Sequence, residues 1–319
     1  MTLLSVCTTE TISQAALALK EGHLVAIPTE TVYGLGADAE SASAVARIYE
    51  VKGRPADHPL IVHISSLDAM GTWATDIPDY AITLARDYWP GPMTLVLRRS
   101  AVAKDFITGG QNTVGVRVPA HPIALALIKE FEKVGGRGIA APSANRFGAV
   151  SPTSAQAVEE ELGAFMAATD LILDGGPSLV GVESTIIDCT HETPRILRPG
   201  AITAAMVEET TGLIALEAFS TGDAIRVSGS LDSHYSPKAE VVLDALAEAG
   251  EGFIALASIT TPNGAIRLSS PHTVEQYARD LYAALRSADA QGLKKIAVLQ
   301  PEGDGLAQAI RDRLKRSAH

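Results

Sequence analysis

Along the first two hundred residues, apolar runs of strand length alternate with longer amphipathic segments. The apolar runs are HLVAI, PLIVHIS, MTLVL, TVGVRV, GIAA, LILD and STIID, and the segments between them include SASAVARIYEVK, IPDYAITLARDYW and PIALALIKEFEK. This alternation predicts an α/β fold in which helices pack on a sheet. Short links rich in proline and glycine, such as YWPGPMT, favour a mixed sheet over a purely parallel one.

The periodic pattern stops near residue 218 and returns near residue 239. The stretch STGDAIRVSGSLDSHYSPK is poor in large apolar residues, which is typical of a linker. Beyond it, AEVVLDALAEAGEGFIALASI, TVEQYARDLYAALRSADAQG and KKIAVLQ again show strand and helix periods. We therefore predict a larger domain over 1–218, a linker over 219–238 and a small α/β domain over 239–319.

Length and composition fit a folded two-domain protein. The chain has 319 residues, 46% of them hydrophobic and 20% charged, with a formal net charge of −11. Residues 1–238 contain 17 basic and 27 acidic residues, so the larger domain carries most of the negative charge. Because nucleic-acid binding depends on neutralising phosphates, we expect no stable tRNA binding by a broad basic surface.

The sequence predicts a cytoplasmic protein without a metal site of its own. No apolar run approaches the roughly 18 residues that cross a bilayer, and the N-terminal residues lack the pattern of a signal peptide. There are two cysteines, Cys7 and Cys189, and eight scattered histidines without an HExxH motif. Such a set favours neither a disulfide framework nor a zinc site.

The stretch PTETVYGLG combines small hydroxyl groups with glycine where a buried strand ends, and we expect a loop here. Thr29 and Thr31 offer hydroxyl groups, Tyr33 offers a ring with a polar tip, and Gly34 and Gly36 would let a ligand approach the backbone. The alternative is an ST-type turn with Tyr33 in the core, and the stretch taken alone favours that alternative.

The stretch VKGRPADHPLIVHI places two cations one residue apart at the end of a predicted helix. Lys52 and Arg54 suit a polyphosphate, because arginine presents a planar fork and lysine a point charge. Equally, both could complement the helix C-terminal dipole. Strand alternation sets His63 opposite Leu60 and Val62, so His63 faces either a cleft or the edge of the core.

Three further stretches place polar residues beside glycine or proline. In TVGVRVP, alternation puts Arg117 on the face opposite the valines, which favours an anion site over an exposed edge. APSANRFGAVSPTS contributes Ser143, Asn145 and Ser151, for which turns or helix caps are the alternative. GVESTIID and RILRPG contribute Ser184 and Arg198, for which an ion pair of the arginine is the alternative. The sequence contains no GxxxxGK[ST], GxGxxG or GxSxG motif, so any nucleotide would bind outside a P-loop.

Together these stretches resemble the YrdC-type family of L-threonylcarbamoyladenylate synthases in its longer, two-domain form. The resemblance runs from about residue 10 to about residue 205 in family order, and HYSPKAEV resembles the junction of the long form. The KxR element corresponds to Lys52 and Arg54, and the SxN element to Ser143 and Asn145. The resemblance implies a twisted mixed α/β sheet with flanking helices and a central cavity, followed by a small Rossmann-like domain.

The resemblance also implies a nucleotidyltransferase reaction. L-threonine, bicarbonate and ATP, with magnesium accompanying the ATP, would give threonylcarbamoyl-AMP and pyrophosphate. The product would pass to a tRNA threonylcarbamoyl-transferase system. Among its residues, the family resemblance assigns catalysis to Lys52 and Arg54 and threonine binding to Thr31, His63, Arg117, Ala141 and Ser184. It assigns nucleotide binding to Lys52, Arg54, His58, Thr113, Ser143, Asn145, Ser151, Arg198, His234 and Tyr235.

The linker resembles a segment that can fold over the cavity of these enzymes. His234 and Tyr235 would then touch the nucleotide, and the linker would be a lid that keeps water from the labile mixed anhydride. The alternative is an aromatic pair that only docks the linker on the surface.

Two other functions remain open from the sequence. One is a carbamoyl-transfer component like the related domain of hydrogenase-maturation proteins, although those carry zinc-finger and acylphosphatase modules that are missing here. The other is a tRNA or double-stranded RNA binding module, which the negative charge disfavours.

Overall fold

The computed structural model describes residues 2–4, 7–217, 225–229 and 235–318. Its helices are α1 Thr9–Lys20, α2 Ala42–Lys52, α3 Met70–Trp73, α4 Asp79–Tyr88, α5 Asp105–Thr108, α6 Pro122–Lys133, α7 Ala155–Leu162, α8 Ala204–Thr211, α9 Val274–Ala290 and α10 Leu306–Ser317, with a 3-10 turn at Leu67–Ala69.

The strands fall into a larger and a smaller sheet. They are β1 Thr2–Leu4, β2 Val25–Ile27, β3 Gly34–Asp38, β4 Ile61–His63, β5 Ala74–Thr75, β6 Met93–Arg99, β7 Thr113–Arg117, β8 Ile139–Ala140, β9 Leu171–Leu173, β10 Thr185–Asp188, β11 Arg195–Arg198, β12 Leu216–Glu217, β13 Glu240–Leu243, β14 Gly252–Ile254, β15 Ile266–Ser269 and β16 Lys295–Val298. The predicted alternation of strands and helices is confirmed.

The larger sheet is mixed, as the short proline- and glycine-rich links predicted. Its order is β1-β9-β2-β3-β8-β4-β7-β6-β10-β11-β12, with β5 paired to β6. The pairs β4/β7 and β6/β10 are parallel, whereas β6/β7, β4/β8 and β10/β11 are antiparallel. Strands that are distant in the chain therefore lie side by side at the centre of the sheet.

The smaller sheet lies in the C-terminal part of the chain. Its order is β13-β16-β14-β15, and its described pairs are parallel. Helices α9 and α10 pack against each other, and their buried faces join the core of this sheet. A parallel sheet covered by helices is the Rossmann-like arrangement that the sequence predicted.

The expected loop at PTETVYGLG is wrong for its last residues, which form strand β3. A Cβ atom on Gly36 would lie 2.8 Å from Ile139 Cγ2 and 3.0 Å from the Val25 carbonyl oxygen. Gly36 is therefore required by strand packing and not by ligand approach. Tyr33 is fully buried, and its hydroxyl group donates to the Gly176 carbonyl at 2.7 Å, as the core alternative proposed.

A second core connects the two sheets. Val32, Val150 and Val182, from loops of the larger part, pack with residues of α9, α10 and the smaller sheet. Within the described chain, no helix is both long and apolar enough to cross a membrane.

Candidate functional site

A cavity opens on one side of the larger sheet, where loops and strand ends meet. Its walls gather predicted residues from distant parts of the chain. Those that line it are Thr31, Arg54, His63, Arg117, Ala141, Ser143, Ser184, Arg198 and Tyr235. The predicted threonine-binding residues and several of the predicted nucleotide-binding residues therefore share one cavity.

Arg117 is held in a buried ion pair on one side of the cavity. Its Nη2 donates to Glu30 Oε1 at 2.5 Å, its Nη1 donates to Thr31 Oγ1 at 3.0 Å, and its Nε donates to the Gly91 carbonyl. Burial by itself raises the pKa of Glu30, but the charge and hydrogen bond of Arg117 outweigh it and the pKa falls below its usual value. The pair fixes the guanidinium against the loop that carries Thr31.

His63 contributes a neutral imidazole to the cavity. Burial is the main cause that lowers the pKa of His63 to about 3, and the neighbouring charge of Arg117 lowers it further. Within the described chain, His63 Nδ1 has no hydrogen-bond partner, although it is buried. A buried ring nitrogen without a partner is a site where a ligand can bind.

Arg54 and Arg198 line the same cavity and donate to neutral oxygens. Arg54 Nη2 donates to the Pro59 carbonyl at 3.1 Å and to Ser228 Oγ at 3.2 Å. Arg198 donates to the Ser184 carbonyl through Nε and Nη2, and to the Ser228 carbonyl through Nη1 at 2.8 Å. Burial lowers the pKa of Arg54 to about 10 and also lowers that of Arg198. Both guanidinium groups therefore keep a positive charge that can bind an anion.

Lys52 lies behind the cavity wall instead of lining the cavity. It is the last residue of α2, which ends at Gly53 with φ +62°, and the chain then turns so that Arg54 reaches the cavity. The Lys52 ammonium group is buried and donates to the Ser143 carbonyl at 2.6 Å and to the Asn145 carbonyl. In this conformation, Lys52 braces the SxN loop.

The other described residues that were predicted to bind the nucleotide do not line this cavity. The His58 ring packs edge-on against Phe147 with ring centroids 5.3 Å apart. Asn145 donates its amide to the Ala149 carbonyl, and its Oδ1 has no partner within the described chain. Ser151 donates its hydroxyl group to Glu183 at 2.7 Å. Thr113 lines a neighbouring cavity, and His234 lies outside the described residues.

The neighbouring cavity is smaller and more apolar. It shares Ile61 and Ser228 with the first cavity. Leu60, Val96, Ile186 and Val227 are among its walls. A larger crevice lies between β11 and α10, but its walls contain none of the predicted site residues.

Several functional neighbours were missed by the sequence analysis. Glu30 and Glu183 are buried carboxylates at the cavity, and Arg313 of α10 is the buried cation that binds Glu183 at 2.8 Å. A signal for Arg313 was present, because it follows Ile310 by three residues on the apolar face of α10. For the two glutamates, the buried partners Arg117 and Arg313 lie 87 and 130 residues away in the chain, so no local pattern indicated burial.

The described residues contain no group of three or more His, Cys, Asp or Glu side chains that could hold a metal ion. The cavity carboxylate Glu183 accepts hydrogen bonds from Ser151, Tyr282 and Arg313. Its oxygens are therefore engaged by protein donors.

Comparison with known proteins gives a family for this arrangement. Residues 17–200 match the Sua5/YciO/YrdC family profile, described as "Telomere recombination", and residues 202–319 match "Threonylcarbamoyl-AMP synthase, C-terminal domain". The chain belongs to this Sua5 family. It has the two-domain long form, since both profiles match in sequence order.

Relatives of similar length carry one name. "Threonylcarbamoyl-AMP synthase" of Pyrococcus abyssi is 42% identical over 95% of this chain and 93% of its own, and the Bacillus subtilis protein of that name is 38% identical over 96% and 92%. The crystal structure of "P. abyssi Sua5 complexed with L-threonine" matches with a TM-score of 0.90 and 39% identity, covering 100% of this chain and 98% of that one. The Sua5 fold with its two sheets thus extends through the whole chain.

Proposed function

We propose that the protein joins L-threonine, bicarbonate and ATP into threonylcarbamoyl-AMP and releases pyrophosphate. The long-form relatives named threonylcarbamoyl-AMP synthase and the P. abyssi complex with L-threonine support this reaction. The product would be used by a tRNA threonylcarbamoyl-transferase system in the cytoplasm, where ATP and tRNA are both present.

The observation that carries the proposal is the convergence of three guanidinium groups with unequal partners on one cavity. Arg117 is already paired with Glu30, so it presents a fixed donor with reduced net charge beside Thr31. Arg54 and Arg198 donate to neutral oxygens, so they offer charge to a polyphosphate. We assign the Arg117 side to the amino acid and the other side to the nucleotide.

The chemistry needs no covalent enzyme nucleophile. The threonine amine adds to carbon dioxide and loses a proton, or condenses with bicarbonate and releases water, to give a carbamate whose oxygen then attacks the α-phosphorus of ATP. A carbamate–phosphorus bond forms, the bond to the β-phosphate oxygen breaks, and pyrophosphate leaves. Arg54 and Arg198 stabilise the charge on the phosphates and hold them in line. Lys52 supports these groups by holding the Ser143 and Asn145 carbonyls.

The smaller, more apolar cavity suits the adenine base, with Thr113 in its wall. Magnesium would arrive with the ATP phosphates and their water, because the cavity carboxylates are engaged by protein donors. In this arrangement the ion belongs to the substrate complex.

The linker would cover the reacting groups. Ser228 binds both Arg54 and Arg198, and Gly229 and Tyr235 line the same cavity. A cover at this point would exclude water from the mixed anhydride, which water hydrolyses. The proposal also includes the predicted contact of His234, which precedes Tyr235 in the sequence, with the nucleotide.

Pyrophosphate release tests the reaction directly. Purified protein is given Mg-ATP, and L-threonine and bicarbonate are omitted in turn. We expect release only when both are present, with threonylcarbamoyl-AMP found by mass spectrometry. Release that persists without either substrate would contradict the proposal.

Two variants on strand β11 connect the activity to the site. Arg198→Ala should lower kcat/KM by about 100-fold, because a charge that stabilises the phosphates is lost. Arg195→Ala is the matched control: it lies on the same strand, but Arg195 Nη1 contacts the exposed His191. Equal losses in both variants would place the site elsewhere.

A further inference from the structure

The cavity wall contains a carboxylate whose cation comes from the smaller sheet's domain. Glu183 is 5% exposed, and its Oε2 accepts hydrogen bonds from Tyr282 at 2.9 Å and from Arg313 Nε at 2.8 Å. Tyr282 belongs to α9 and Arg313 to α10. A buried carboxylate is stable only when a cation and hydrogen bonds compensate its charge. The part of the cavity wall that contains Glu183 therefore depends on α9 and α10.

Arg313 holds the chain on both sides of the contact between Arg198 and Ser184. It is fully buried, and it binds Glu183, which precedes Ser184, and the Pro199 carbonyl, which follows Arg198, at 3.0 Å. Arg198 itself donates to the Ser184 carbonyl at 2.9 Å and to Ser184 Oγ at 3.2 Å. One side chain from α10 therefore fixes the relative position of two residues that line the cavity.

The same helices also hold the end of the linker. The Tyr282 ring stacks on Tyr235 with centroids 5.7 Å apart, and the Arg313 guanidinium lies 5.5 Å from the Tyr235 ring centroid. Ser317 Oγ donates to the Tyr235 carbonyl at 2.9 Å. Tyr235 is thus held by α9 and α10 while it lines the cavity.

Glu183 is a competitor for the charge of Arg198. Burial by itself raises the pKa of Glu183, but the charges of Arg313 and Arg198 outweigh it and bring the pKa to about 2. The carboxylate is therefore ionised, with two guanidinium groups near it. Of these two guanidinium groups, Arg313 donates a hydrogen bond to Glu183, whereas Arg198 donates to the oxygens of Ser184 and Ser228.

We propose that Arg313 is a positioning residue for the reaction: it binds Glu183 so that Arg198 stays available to the polyphosphate of the nucleotide. Arg313 acts through Glu183 and lines no part of the cavity itself. The proposal gives the small C-terminal domain a role at the site, and it rests on the proposed function for the identity of the anion.

Steady-state kinetics of Arg313→Met test the proposal. Methionine keeps an unbranched apolar stem without the guanidinium group and its charge, so Glu183 should turn to Arg198. We expect the KM for ATP to rise about 10- to 100-fold, which corresponds to one lost charge-assisted hydrogen bond. The KM for L-threonine should rise less than the KM for ATP, because Arg117 keeps its own partner Glu30, although the position of Ser184 depends on Arg313. An unchanged KM for ATP would overturn the proposal.

A rescue variant separates competition from general damage. In Arg313→Met combined with Glu183→Gln, no carboxylate remains to attract Arg198, and the KM for ATP should return to within about threefold of wild type. A double variant no better than Arg313→Met would overturn the proposal. Arg311→Met is the control on the same helix, since Arg311 donates to the Pro301 and Gly303 carbonyls and its variant should leave both KM values unchanged.

A second variant and a binding measurement decide the cases in which Arg313→Met does not fold or the protein does not turn over. If Arg313→Met does not fold, Tyr282→Phe removes one donor to the same carboxylate oxygen and keeps the ring; its KM for ATP should rise several-fold, and no change would overturn the proposal. Calorimetric titration with Mg-ATP measures the same effect without turnover. A wild type that binds ATP but releases no pyrophosphate refutes the proposed function, and the Kd values of the variants still decide the role of Arg313. A wild type that binds no ATP overturns both.

Discussion

At the scale of single residues, burial affects the charged groups of the cavity in different ways. Arg117 has a carboxylate partner, His63 is neutral, and Arg54 and Arg198 donate to uncharged oxygens. Burying a cation costs free energy unless an opposite charge offsets it, and an incoming anion recovers that cost. Arg198 has the carboxylate of Glu183 near it but donates its hydrogen bonds to the oxygens of Ser184 and Ser228, and Arg54 donates to neutral oxygens. Both arginines therefore favour binding of a phosphate chain over binding of a neutral molecule.

The neutral imidazole of His63 makes the stability of the fold depend on pH. Its pKa of about 3 in the folded chain lies below the unfolded value of 6.5, so the unfolded chain binds the proton more tightly. The contribution is fully present above pH 6.5 and is lost as the pH falls towards 3. Between pH 7.5 and pH 5, wild type should lose about 2 kcal/mol more of its unfolding free energy than His63→Gln.

Urea unfolding at the two pH values measures this difference. His272→Gln, at an exposed position, should behave as wild type does. Equal pH dependence of wild type and His63→Gln would show that the imidazole is not buried in its neutral form.

The sequence predicted which cations approach one another, but not their partners. The family resemblance predicted that Lys52, Arg54, Arg117 and Arg198 share one site; the three arginines line the cavity, and Lys52 lies behind its wall. Glu30 is 87 residues from Arg117 in the chain, and Glu183 is 130 residues from Arg313. Periodicity within a short window carries no information on pairs so far apart, so the compensation of each buried charge required the structure.

At the scale of elements, the alternation of strand-like and helix-like segments predicted the strands well but missed β3, in which glycines stand in place of larger side chains. The strand β3 has the sequence GLGAD, which has too few side chains to show a period of two. The reason for Gly36 is the close neighbouring strand, because an added Cβ would meet Ile139 and the Val25 carbonyl, whereas Gly34 lines the cavity. A glycine that a sheet needs and a glycine that a ligand needs look alike in sequence.

Substitution of Gly36 tests this packing. Gly36→Ala should destabilise the protein by about 1–3 kcal/mol, since the added Cβ would meet Ile139 at 2.8 Å inside the sheet. Gly71→Ala is the control, because nothing lies within 4 Å of its added Cβ. Thermal unfolding of both variants gives the comparison, and a Tm of Gly36→Ala equal to that of the control would contradict the account of β3.

At the scale of the whole molecule, the cavity lies where the larger sheet, the linker and the C-terminal helices meet. Residues 225–229 cross the cavity and bind its arginines, and Tyr235 returns to it from the side of α9 and α10. The sequence predicted a linker and a small domain, yet the contact of that domain with the cavity wall came from packing alone. The predicted domain boundaries at 218 and 238 stay predictions.

A single methyl group added at Gly229 tests whether the linker covers the cavity. Its φ is +80°, and an added Cβ would lie 2.1 Å from the Tyr235 hydroxyl oxygen and 3.2 Å from Arg198 Nη1. Gly229→Ala should therefore displace the linker and raise several-fold the fraction of product that is hydrolysed to AMP. Gly250→Ala is the control. Gly250 has φ +87° and nothing lies within 4 Å of an added Cβ, so its substitution carries the same backbone strain without the clash.

Chromatography of AMP and threonylcarbamoyl-AMP during turnover measures the hydrolysed fraction. If Gly229→Ala and Gly250→Ala release the same proportion of AMP as wild type, the linker does not shield the product.

The second core has a consequence for how the chain can be divided. Val32, Val150 and Val182 are apolar members of that core, and they stand next to Thr31, Ser151 and Glu183 in the sequence. Removing α9 and α10 would expose these valines to water and loosen the loops that carry the neighbouring polar groups. The two sheets are thus separate in topology but share this core, so a truncated chain ending before β13 would leave the loops of the cavity without the apolar partners that α9 and α10 supply.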